Sequence, residues 1–181
     1  LSSYINLILL ITLAITAFGE IFAPLFLKFI APELSEATAS LSVSLTRIMF
    51  PMVIFVGLAF SFVGFLQSEG EYNLPAVISL VSNVIMCTYL LTLSDKFGVT
   101  GLAVAMLVGW MMQAFVQLPT AVKKGLKYSP KSRINTPEIT RAAKNTIPIL
   151  LATWTTPLCS LINTRIASGI ENGRAITALG Y

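Results

Sequence analysis

Histidine is absent from this chain of 181 residues, cysteine occurs twice, and aspartate and glutamate together number eight. Without imidazole there is no histidine general base, no histidine-containing triad and no histidine metal ligand. Two cysteines alone cannot complete a four-ligand zinc site. Cys87 and Cys159 lie inside apolar runs, where a thiol behaves as a small hydrophobe, so no disulfide is expected. The acids are scattered over loops apart from Glu20, which leaves no pair of carboxylates on one segment for acid–base work. A phosphate-cradling glycine loop and a nucleophile motif are missing as well. The expectation is a protein that is not an enzyme and carries neither metal nor cofactor.

Charge of either sign is also scarce, at 11% of residues against roughly 25% in soluble domains. So few charges cannot cover a water-soluble surface. What fills the chain instead is apolar, 55% by count. A hydrocarbon core needs roughly 20 mostly apolar residues per helix, and about five stretches approach that length, beginning near Ser3, Val43, Leu74, Gly101 and Thr146. Lipid offers backbone groups no partners, so a span must be a helix or a barrel strand. Runs this continuous, without a period of two, point to helices. The fold class read from these features is an all-α membrane protein with about five transmembrane helices.

The first span reads from about Ser3 to Phe29, interrupted by Glu20 and Pro24, and ends at an acidic, Ala- and Ser-rich turn from Pro32 to Ser40. The second covers Val43 to Leu66, with Arg47 and Pro51 in its first turns. A polar turn, Ser68 to Asn73, leads to a third span ending near Leu93, with Pro75 in its first turn, where the missing donor is not needed. Ser94 to Gly98 turns the chain into the fourth span, Gly101 to Val122. The segment Lys123 to Lys144 then holds seven basic residues against the single acid Glu138. A fifth span follows from Thr146 to Gly169, with a kink expected at Pro157. No basic segment precedes an apolar one as in a removable signal peptide. Both ends read as interior, so the expectation is an internal piece of a larger membrane protein.

Basic loops stay on the cytoplasmic side. This places the Lys123–Lys144 loop inside, the Glu69/Glu71 turn inside, and the Glu36, Asp95 and Glu171 turns outside. The loop either obeys that rule while touching anionic lipid, or recruits a polyanion. No aromatic interleaving accompanies its lysines, so nucleic acid is not an expected partner.

Several polar positions stand out within the spans. Thr153, Thr156, Ser160, Asn163 and Ala167 recur at three or four residues and share one helical face. That face either walls a hydrated cavity or makes interhelical hydrogen bonds. Gly101, Ala105, Gly109, Gln113 and Gln117 recur at strict four-residue spacing, which predicts a close packing seam with the glutamines near the interfacial end. Gly57, Ser61, Gly64 and Ser68 predict a second seam. Glu20 lies about 15 Å inside the span at 1.5 Å per residue, where an ionisable group marks function by default or forms a structural pair. Arg47, at comparable depth on the next antiparallel span, is its expected partner. Lys28 and Arg165, near span ends, are expected to snorkel outward. The candidate pathway residues are therefore Glu20, Arg47, Gln113, Thr156, Ser160 and Asn163.

Leu45-Thr46-Arg47-Ile48-Met49-Phe50-Pro51 opens a span that Gly64-Phe65-Leu66-Gln67-Ser68 closes, and Tyr72-Asn73-Leu74-Pro75-Ala76 follows, with Asn83 in the next span. Gly101 to Ala105, Gly109-Trp110, Gln113 and Gln117-Leu118-Pro119 precede the basic loop, and Ala167-Ser168, Gly173 and Ala178 to Tyr181 close the chain. In their order these motifs resemble the MurJ/MviN family of lipid II flippases, and the resemblance covers nearly the whole chain.

It implies a piece of a two-lobed, fourteen-span transporter of the bacterial plasma membrane. The piece would hold four spans of the N-terminal lobe (residues 1–122), a basic cytoplasmic loop (123–145), and the first span of the C-terminal lobe with the start of the next helix (146–181). It further implies alternating access for an undecaprenyl-pyrophosphate-linked peptidoglycan precursor, with membrane lipids and the remaining spans as partners. A polysaccharide or drug exporter of the same superfamily, or a non-transporting membrane scaffold, are the alternatives. The family's cavity arginines lie on spans not complete here and transfer to no residue. The sequence also departs from the family in having Asn163 where an acid is usual and Cys159 at an earlier Asn position, which removes a charge from the seventh span.

Overall fold

The computed structural model describes residues 2–30, 36–130 and 137–168. The regular structure among them is α-helical: α1 (Ser2–Ile30), α2 (Glu36–Met49), α3 (Met52–Ser68), α4 (Asn73–Thr92), α5 (Ser94–Lys123) and α6 (Pro137–Ser168). Four stretches, Ser2–Ile30, Thr38–Ser68, Asn73–Thr92 and Ser94–Lys123, are long and apolar enough to cross a bilayer. A fifth is bent by 48° between Ile139–Pro148 and Leu151–Ile166. The chain is an all-α membrane protein. The Ala167, Glu171 and Gly173 readings, and Lys131 and Arg133 of the basic loop, fall on side chains outside those described.

Element boundaries differ from the sequence reading in three places, each for a local reason. The second span starts earlier, because the Ser- and Thr-rich segment from Glu36 is already helical, its hydroxyls lowering hydropathy without breaking the backbone ladder. Pro51 divides it. Phe50 N–H still donates to Thr46 O at 2.9 Å, and Val53 and Ile54 then donate to Phe50 O and Pro51 O at 3.0 and 3.2 Å. These tight i→i+3 bonds carry the helix past the residue that lacks a donor. The end of the basic segment is helical too, since α6 begins at Pro137, a residue suited to a first helical position. The bend in α6 falls after Pro148, not at Pro157.

Two compact units divide the chain, Leu1–Glu20 with Leu45–Ile134, and Ile21–Ser44 with Asn135–Tyr181. In the first unit, α5 packs along α4 and α3 through the predicted seam. A Cβ placed on Gly109 would lie 3.0 Å from Ser82 Cβ and 3.2 Å from Ser82 Cα, and one on Gly101 would overlap the Tyr89 side chain. Ala105, Gly109, Gln113 and Gln117 are all buried. The second seam holds over half its length: Gly57 meets Ile8 and Thr12 of α1 and Ser61 is buried, but Gly64 faces open space. Ile5, Ala59, Phe62, Leu66, Ala114, Ala121 and Leu126 form the core.

Glycine closes both α3 and α5. Gly70 (φ 74°) and Gly125 (φ 97°) adopt the left-handed conformation. The paired bonds Gly70 N–H to Gln67 O and Glu71 N–H to Leu66 O are repeated by Gly125 N–H to Val122 O and Leu126 N–H to Ala121 O. Each is a Schellman cap, which satisfies two terminal carbonyls and reverses the chain. Glu71 and Lys124 stand beside the two caps and form an ion pair at 3.9 Å. At the other end, Gly98 (φ 53°, ψ −142°) kinks α5 after its first turn, and the buried Tyr89 hydroxyl donates to Gly98 O at 2.6 Å. An apolar groove of about 580 Å³ lies there between α4 and α5, lined among others by Val84, Tyr89, Phe97 and Val104.

In the second unit, Arg165 donates to the Phe29 carbonyl and its guanidinium sits 4.6 Å from the Phe29 ring centroid. A cation–π contact and a hydrogen bond thus hold this side chain. Lys28 is exposed, and Cys87 and Cys159 are free, exposed thiols.

Candidate functional site

The break at Phe50-Pro51 brings together Thr16, Glu20 and Arg47 of the first unit. Pro51 leaves α2 ending at Met49 and α3 starting at Met52, with Arg47 in the last turn of α2. The Phe50 ring lies on Gly19 so closely that a Cβ there would overlap it. Only glycine lets α1 approach the break this far. Thr16, buried one turn earlier on the same face, donates its hydroxyl to Phe50 O at 3.4 Å. This close approach brings Arg47 Nε to 3.3 Å from Glu20 O.

Arg47 and Glu20 are therefore neighbours, as their depths in the sequence suggested. The bond, however, runs to the main-chain carbonyl of Glu20 and not to its carboxylate. Glu20 is half-buried and Arg47 exposed. A guanidinium has five N–H donors in a planar fork, and this contact uses the Nε–H, the one on the stem side. The amides of Val53 and Ile54 at the start of α3 are already bonded to Phe50 O and Pro51 O, so the group here suited to an anion is the Arg47 guanidinium, with the Glu20 carboxylate as a competing internal anion.

The other candidates lie elsewhere. Gln113 is buried at 4% exposure, and its Nε2 donates to Ser82 Oγ at 2.7 Å. Gln117 is fully buried and donates to Ala59 O at 3.2 Å and Gln113 O at 3.1 Å, while its Oε1 has no partner among the described residues. The two amides fasten α5 to α4 and α3 inside the bundle. Thr156, Ser160 and Asn163 are exposed on α6 in the second unit, where Ser160 O accepts the Thr164 hydroxyl at 2.9 Å. Sequence reasoning missed Thr16, Gly19 and Phe50. The four-residue spacing of Thr12 and Thr16, with Gly19 continuing the face, is the signal that was available.

The family model of the lipid II flippase MurJ matches residues 1–181. The lipid II flippase MurJ of Burkholderia cenocepacia is 31% identical over 147 residues, covering 78% of this chain and 28% of that protein. The probable lipid II flippase MurJ of Bdellovibrio bacteriovorus is 28% identical over 179 residues, covering 95% of this chain and 34% of its own length. The corresponding protein of Treponema pallidum is 28% identical over 180 residues, covering 97% and 33%. The chain thus spans about a third of the curated relatives it matches. No solved structure matches it.

Proposed function

The chain belongs to the MurJ lipid II flippase family, and from that premise we propose that it supplies consecutive spans of a carrier that moves an undecaprenyl-pyrophosphate-linked peptidoglycan precursor across the bacterial plasma membrane. The observation that carries this reading is the family match along the whole chain, joined to helices long enough to thread a bilayer. Residues 1–122 belong to an N-terminal lobe, 123–145 form a cytoplasmic connector, and 146–181 begin the second lobe. The Lys123–Lys144 segment stays inside under the orientation rule for basic residues. The work is transport by alternating access, as in other repeat-built carriers, and not catalysis.

Within this scheme Arg47 and Glu20 are the residues assigned to the pathway in the first lobe. The guanidinium at the broken span attracts the pyrophosphate or a charged part of the headgroup, and Glu20 holds the cation in place when the substrate is absent. Thr156, Ser160 and Asn163 supply a neutral hydrogen-bonding wall in the second lobe. Gln113 holds helices together and meets substrate only indirectly.

Grafting residues 1–181 into the matching third of the Burkholderia cenocepacia relative, in a strain depleted of its own flippase, tests the proposal. Growth together with lipid II accessible on the outer leaflet is the expected result. A chimera that inserts stably yet leaves lipid II inside would overturn it.

A further inference from the structure

The residues after α5 are not a loose connector. The Schellman cap at Gly125 reverses the chain, and Leu126 drops into the core beside Ile5, Phe62 and Ala121. The next four residues then meet the first turns of α1. Ser2 Oγ donates to Lys127 O at 2.9 Å and accepts from Ser129 N–H at 3.1 Å. Tyr128 Oη donates to Asn6 Oδ1 at 2.8 Å, and Asn6 Nδ2 donates to Pro130 O at 3.2 Å. Each residue from Leu126 to Pro130 is thus either seated in the core or bonded to α1.

We infer that Leu126–Pro130 is a strap that latches the end of α5 to the start of α1 through a clasp formed by Ser2, Asn6 and Tyr128. Two of its features set it apart from an ordinary loop. Its bonds join residues more than 120 positions apart in sequence, so the latch closes only when both helix ends are in register. All the groups that form its bonds are neutral, Lys127 taking part through its carbonyl alone, so it holds at any ionic strength, unlike the Lys124–Glu71 pair beside it. Its consequence rests on the two-lobe reading above: the first lobe extends past the end of α5 to include Pro130, and a change in the tilt of α1 against α5 opens the clasp.

Hydrogen–deuterium exchange of the 181-residue chain in nanodiscs tests the latch without requiring transport. The amide of Ser129, which donates to Ser2 Oγ, is expected to be protected at both low and high salt. Ser2→Ala with Asn6→Ala should speed exchange over 127–130 by about tenfold or more while α3 to α5 remain unchanged, as local opening requires. Tyr128→Phe, which removes one hydroxyl and keeps the ring, should give a smaller rise and serves if the double variant fails to fold. Exchange at the free-peptide rate in the unmodified chain would overturn the inference, as would protection untouched by these substitutions. Neither outcome bears on whether the parent moves lipid.

Discussion

Replacing one glycine by alanine should stabilise this protein at position 64 and destabilise it at position 109. Both residues are helical, in α3 and α5, and alanine favours a helix interior over glycine by about 1 kcal/mol. At Gly64 nothing lies within 4 Å of the added carbon, so the propensity gain stands alone and about 1 kcal/mol of stabilisation is expected. At Gly109 the added carbon lies 3.0 Å from Ser82 Cβ and 3.2 Å from Ser82 Cα. Because a backbone carbon is involved, α4 itself must move, and overpacking of this kind costs roughly 1–3 kcal/mol. The displacement also stretches the Gln113–Ser82 bond one turn away. Set against the same propensity gain, the balance is a loss of up to about 2 kcal/mol. Thermal or sodium dodecyl sulfate unfolding of the two variants in matched micelles reads the difference directly. Equal shifts of the same sign would refute the seam as the structure describes it.

Four further substitutions probe other parts of the molecule. Tyr89→Phe removes the hydroxyl that donates to Gly98 O and should cost about 1 kcal/mol, while Gly98→Ala, forced into a left-handed conformation, should cost roughly 1–3 kcal/mol; unfolding midpoints check both. Gln117→Leu gives up two donated bonds of about 0.6 kcal/mol each in a membrane but also removes a buried carbonyl without a partner, whose cost is about 1–3 kcal/mol, so a neutral or slightly raised unfolding midpoint is expected. Glu20→Gln should insert and fold normally in the chimera, since Arg47 binds the Glu20 main chain, yet reduce complementation at least about tenfold if the carboxylate is part of the pathway. Wild-type growth would move Glu20 to a structural role.

How much of this was legible in the sequence varies from element to element. Hydropathy located the spans because lipid leaves few alternatives to a long apolar helix. The α5 seam was equally plain, since a strict four-residue repeat keeps small residues on one face whatever lies opposite. Polar helix was harder to see. Glu36–Ser40 and the stretch from Pro137 were read as turn and loop because charge and hydroxyls lower hydropathy without preventing helix. The four-residue repeat put Gln113 and Gln117 on the seam, but the packing of α3 and α4 around them decides their burial, and a single helix does not encode that. The Arg47–Glu20 contact was foreseen as a meeting of charges; only the approach permitted by Gly19 shows that the bond is to the main chain. The clasp of Ser2 and Asn6 on residues 127–130 had no local signal, since its partners are joined only by the tertiary fold.

The central claim, that these helices thread a bilayer with the basic connector inside, is tested most directly by sidedness. Reporter fusions after Lys127 and after Glu36, each in the otherwise unmodified chain, should report opposite faces, Lys127 cytoplasmic and Glu36 external. The same face for both, or Lys127 outside, would contradict the account.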